Sequence, residues 1–176
     1  MSSPLDLSLT PTAADLDGER ADLLQTLAVH RGFLRYTAQG LTDAQAAEKS
    51  TVSALTVGGL IKHVAATEAA WYRFMVGGAA EMESVALDWE DEHRMNPGET
   101  LQSYLDNYAA IAAKTDELVK TADLNKSYPL PEAPWFEAGA VRSVRRVLLH
   151  IIAETAQHAG HADIIRESLD GQRTMG

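Results

Sequence analysis

His150-Ile151-Ile152-Ala153-Glu154-Thr155-Ala156-Gln157-His158-Ala159-Gly160-His161-Ala162-Asp163 is the middle of a run with helical periodicity that spans roughly residues 139–169. At about 100° per residue, Val144, Val147, Ile151, Ala162, Ile165 and Leu169 fall within about 40° of His158. This puts His158 in the middle of a face that should be buried. Glu154 lies one turn earlier and about 40° to one side, with His161 and His150 further round the same edge. A carboxylate on an apolar face is costly unless a cation or strong hydrogen bonds accompany it.

Three further long helical patterns precede this one, and no segment alternates with period two over any length. The first covers residues 15–39, with Leu23, Leu27, Phe33 and Leu34 among its apolar positions and Gly40 as a stop. A short turn or helix restarts at Leu41-Thr42-Asp43 with Thr42 or Asp43 as cap. The second long helix covers residues 57–76 and stops at Gly77-Gly78. The third starts near Pro97, a residue suited to a first helical position, and runs to Thr121. Four amphipathic helices with one buried stripe each predict an all-α four-helix bundle over residues 15–171. An extended arm is expected over residues 1–14, which hold Pro4 and Pro11. The second loop (77–96, with Trp89) and the third (123–138, with Trp135-Phe136) are long, as functional loops often are.

The second long helix repeats the anomaly of the last. Leu60, Ala66, Thr67, Ala70 and Phe74 cluster within about 60° of His63, so His63 also points inward. Two helices then present two imidazoles and a carboxylate to one interior, and one divalent metal would satisfy His63, Glu154 and His158 together. Hydrogen-bonded core histidines beside a solvated carboxylate fit the same pattern, and periodicity alone leaves the two readings level. The donor set suits Zn²⁺, while Fe²⁺ and Ni²⁺ also accept it. Three protein ligands would leave a position for water or substrate.

The chain of 176 residues is 45% apolar, enough for one sizeable core, and carries a formal net charge of −10. That charge opposes binding to nucleic acid or to an anionic membrane surface. Arg142, Arg145 and Arg146 form the one basic group, read as a solvated helix face. No apolar stretch reaches the roughly 20 residues that span a bilayer, and Met1–Asp15 does not read as a signal peptide. The chain has no cysteine, which removes disulfides, thiolate ligands and a cysteine nucleophile. A cytoplasmic protein is expected.

The segment His150–Asp163 resembles the last-helix motif of the DinB superfamily, and Leu55–Trp71 is similar to its partner motif on the second helix. The resemblance extends over nearly the whole chain and implies a metal-binding four-helix bundle. Many members place a His-x-x-x-His pair followed by Arg-Gly-Gln on the last helix; here Glu154 stands for the first His, and His161 follows Gly160 where Gln is usual. The Glu variant is similar to the actinobacterial mycothiol-dependent maleylpyruvate isomerases, with a two-His, one-Glu zinc site, and so supports His63, Glu154 and His158 as ligands. The isomerase reaction is not carried over, because that relative has an additional C-terminal domain. What the resemblance implies is an enzyme that uses a low-molecular-weight thiol such as mycothiol as cosubstrate, an S-transferase or isomerase acting on an electrophile. A metal-binding bundle without activity and a metal-dependent hydrolase remain alternatives. A di-iron site does not fit, because its Glu-x-x-His pairs are one residue shorter than Glu154 to His158. His161 and His150 are expected to act as outer-shell or acid/base groups, the Trp89 and Trp135 loops to cover the site, and the bundle to pair as a homodimer.

Overall fold

Helix α1 (Gly18–Thr37) begins where Asp17 accepts a hydrogen bond from the Arg20 amide at 2.9 Å. The single turn α2 (Asp43–Ala46) starts from a reciprocal pair, Thr42 capping Gln45 and Gln45 reaching back to Thr42. Helix α3 (Val57–Gly77) is capped by Thr56 and ends where Gly78 takes φ 77°. Two single turns follow, α4 (Ala79–Met82) and α5 (Trp89–Glu92). Helix α6 is Leu101–Thr121, and a short hairpin of β1 (Ser127–Pro129) and β2 (Val141–Ser143) leads directly into α7 (Val144–Asp170). The computed structural model describes residues 17–86 and 88–175, except for the side chains of Trp89 and Glu90. The expected arm over residues 1–14 and the Trp89 ring lie outside the described residues.

The four long helices close a square: α1 packs on α7 and α6, and α3 packs on α6 and α7. This is the expected all-α bundle with long second and third connections. Its core is in two parts. One end is built from Leu34, Leu60, Ile61, Tyr104 and Ala162, the other from Leu27, Phe74, Val119, Leu148 and Ile151. A polar layer lies between them at mid-height. There the buried Arg31 guanidinium of α1 grips Glu68 of α3, with Nε 3.2 Å from Glu68 Oε2, and donates from Nη1 to Asp116 of α6 at 2.7 Å. Thr155 of α7 is 1% exposed in the same layer, one residue after Glu154.

Four sequence expectations change. The third long helix starts at Leu101 rather than near Pro97, because Gly98 adopts φ 90° and Thr100 caps the Ser103 amide at 3.2 Å. The last helix starts at Val144 rather than at Gly139, with Ser143 capping the Arg146 amide at 3.1 Å, and residues 141–143 are extended, with Tyr128 opposite Arg142. The three arginines therefore do not share one helix face. Arg142 lies on β2 with its guanidinium 5.0 Å from the Trp71 ring, while Arg145 is bound to Glu19 and donates to Asn125 at 2.7 Å. Finally, the buried face of α7 is turned towards Leu148, Thr155, Ala159 and Arg166, because this side meets α1. His158 sits at the edge of that face, not at its middle.

Candidate metal centre

Helix α3 contributes His63, 6% exposed, and α7 contributes Glu154 and His158, two half-buried residues one turn apart. One ligand atom from each of the three lies within 4.8 Å of the other two. His158 Nε2 stands 3.4 Å from Glu154 Oε2. Two ligands bound at about 2.0–2.1 Å to a tetrahedral ion are about 3.3 Å apart, so this pair already has a suitable spacing. The His63 and His158 rings meet edge to face with centroids 4.9 Å apart.

The protonation states also suit a cation. Burial pushes His63 down to about 4, assisted by His93 and His158 nearby, so its imidazole is neutral at pH 7. The His158 hydrogen bond holds the Glu154 carboxyl below its ordinary value, against the opposing effect of burial. Neutral imidazole and ionised carboxylate are the forms that ligate.

The other two histidines occupy different sides. His161 Nδ1 lies 3.4 Å from His158 Nδ1, on the ring nitrogen that does not face Glu154. His150 Nε2 lies 3.8 Å from Glu154 Oε1, and its ring stands edge-on to Trp71 at 4.9 Å. Burial lowers the His150 pKa as well. His63, His150 and Glu154 line a cleft of about 580 Å³, closed on its other sides by Trp71 of α3, Met82 of α4 and Trp135 of the third loop. His161 is not among the residues lining it. The hairpin explains how the third loop reaches this place: β1 and β2 pin the loop's two ends together, and residues 131–136 arch over the mouth.

Two residues of the site were missed in the sequence. Glu92, at the end of α5, is 7% exposed and places Oε2 3.6 Å from His63 Nδ1. The next residue, His93, stacks on the His63 ring with centroids 4.0 Å apart and planes at 25°. The adjacent acid and imidazole of Glu92-His93 were the only available sign, and a loop has no period to show which way they point. The segment docks because α3 presents glycines to it: a Cβ on Gly59 would collide with the His93 carbonyl, and one on Gly58 with Met95. Lys62, beside His63, ties the segment down by donating to Asp91 at 2.8 Å and to Glu99 at 3.2 Å.

Among the described residues no helix is long and apolar enough to cross a membrane. A solved structure of a conserved protein from Enterococcus faecalis shares the fold, with a TM-score of 0.66 at 16% identity over 85% of this chain and 96% of that one. No curated protein matches the chain. The family model described as mycothiol-S-transferase matches residues 22–171. That match takes in every residue of the candidate centre and all four long helices except the first turn of α1, so the chain belongs to the mycothiol-S-transferase family, in keeping with its resemblance to the DinB superfamily.

Proposed function

We propose that the protein is a divalent-metal-dependent S-transferase, which joins a low-molecular-weight thiol of the mycothiol type to an electrophile. The observation that carries this is the His63–Glu154–His158 cluster, of which His63 and Glu154 line a cleft, in a chain that has no thiol of its own. Zn²⁺ is the first candidate for the ion, with Ni²⁺ or Fe²⁺ also compatible. When bound, the ion supplies the charge that keeps an incoming thiol ionised at neutral pH, although a free thiol has a pKa near 8.5.

The chain's own residues do the rest. His150, neutral and on the cleft wall, accepts the thiol proton; His161 orients His158 from outside the cleft. The sulfur electron pair forms the new S–C bond. The pair displaced from the electrophilic carbon leaves with a departing group or moves along a conjugated system, which then recovers a proton from His150. Trp71, Trp135 and Phe136 give the cleft aromatic walls, which favour an electrophile with an apolar ring. We further propose a cytoplasmic enzyme, since thiol cosubstrates are held reduced there, and a homodimer formed through the outer face of α7, where Leu149 and Ile164 are 49% and 62% exposed.

The test is conjugation of a neutral aromatic electrophile by metal-loaded protein, with and without mycothiol. Turnover should require both metal and thiol. His150→Ala should retain the metal and lose roughly 10²-fold or more in rate. Turnover that proceeds equally without thiol would replace this proposal with a hydrolase.

A further inference from the structure

We infer that Glu92 is the positioning residue of the centre: its carboxylate holds His63 with the proton on Nδ1 and so reserves Nε2 for the metal. The inference concerns a residue from a loop that no sequence motif marks, and it deepens the metal assignment on which the proposed function rests.

Three observations converge on it. First, Glu92 Oε2 is buried and accepts no hydrogen bond from the other described residues, while it faces His63 Nδ1 at 3.6 Å. A buried carboxylate oxygen left without a donor is costly, and an N–H on His63 Nδ1 is the donor in line to meet it. Second, a neutral imidazole has one N–H, so placing the proton on Nδ1 leaves the lone pair on Nε2. Ligating histidines usually give their other N–H to a carboxylate or carbonyl in this way, which fixes both tautomer and ring orientation. Third, the fold invests in placing Glu92 there. Gly58 and Gly59 remove the side chains that would hold the segment off α3, Lys62 binds Asp91 beside Glu92, and His93 lies flat on His63. The ring is thereby held on one face by His93 and at one nitrogen by Glu92, while one of its ring nitrogens lies within 4.8 Å of ligand atoms of Glu154 and His158.

A simpler explanation is that Glu92 merely fastens the second loop. The two roles differ in what they change. A fastener affects stability, whereas a positioning residue affects the tautomer of His63 and the affinity for metal.

The experiment uses the full chain, labelled with ¹⁵N at histidine, as wild type, Glu92→Gln and Glu92→Ala. Two readouts are taken: the His63 tautomer in metal-free protein from ring nitrogen shifts, and Zn²⁺ affinity by competition with a chromophoric chelator. The wild type should show His63 protonated on Nδ1. Glu92→Ala should give a mixture of tautomers and lose about 10–100-fold in Zn²⁺ affinity. Glu92→Gln, which keeps an acceptor oxygen of similar reach, should retain the Nδ1–H tautomer and most of the affinity. Unchanged tautomer and affinity in folded Glu92→Ala would overturn the inference, as would equal losses in both variants. If no variant binds Zn²⁺, the metal assignment has failed, and the tautomer readout still decides the role of Glu92.

Discussion

At the scale of single residues, the candidate centre is defined by groups whose surroundings reinforce the neutral imidazole and ionised carboxylate that bind a cation. His63 is the clearest case. Its pKa in the fold is about 4, against the ordinary value of 6.5 for the exposed side chain. Above pH 6.5 the imidazole is neutral in both folded and unfolded chains. As pH falls from 6.5 towards 4, the unfolded chain takes up a proton that buried His63 refuses, so stability falls with pH over that window. His150 is shifted in the same direction, and Glu154, whose carboxyl lies below its ordinary value, adds a loss at still lower pH. Metal-free protein should therefore lose on the order of 3 kcal/mol through His63 between pH 6.5 and 4. Urea denaturation at a series of pH values measures this. His63→Gln should flatten the slope in that window, and an equal slope in the variant would show that His63 is not the group responsible.

At the scale of elements, the glycine pair at the start of α3 decides whether the second loop can reach the candidate metal centre. Gly59→Ala places a methyl against the His93 backbone carbonyl, which cannot move without carrying Glu92 and His93 away. It should cost roughly 1–3 kcal/mol and weaken metal binding. Gly160→Ala, in mid-helix with nothing within 4 Å of the new methyl, should instead stabilise by about 0.5–1 kcal/mol. Thermal melts of the two variants compare them directly, and equal effects would contradict the packing described here. The same contrast shows how much could be read beforehand. The facing histidines and Glu154 were legible, because a helix converts spacing into direction. Even so, the rotation of α7 was misjudged: apolar residues alone do not show that Thr155 and Arg166 are buried too. Glu92 and His93 were not legible, because their direction is set by a loop folded onto Gly58 and Gly59. The strands β1 and β2 have three residues each, too few for alternation to register, and Val141–Ser143 was absorbed into the helix that follows.

At the scale of the whole molecule, the bundle carries a polar layer through the middle of its core, and the candidate metal centre lies on the side of that layer between α3 and α7. The Arg31–Glu68 ion pair crosses the layer from α1 to α3 and is almost wholly buried. Arg31→Met should cost about 3–5 kcal/mol, because it strands the Glu68 carboxylate in the interior, and Arg31→Met with Glu68→Met should recover most of that loss. Denaturant unfolding of the single and double variants tests the coupling; additive losses would show that the pair does not act as a unit. The layer ties α1 to α3 and α6, and His63 on α3 stands opposite Glu154 and His158 of α7. The decisive property of this cluster is what it does to a thiol. The direct measurement is the absorption spectrum of Co²⁺-loaded protein titrated with mycothiol, beside the His63→Ala/Glu154→Ala/His158→Ala variant. A sulfur-to-cobalt charge-transfer band that saturates with thiol in the wild type, and is absent from the triple variant, is the predicted result. No band at saturating thiol with cobalt demonstrably bound, or stoichiometric cobalt retained by the triple variant, would contradict it.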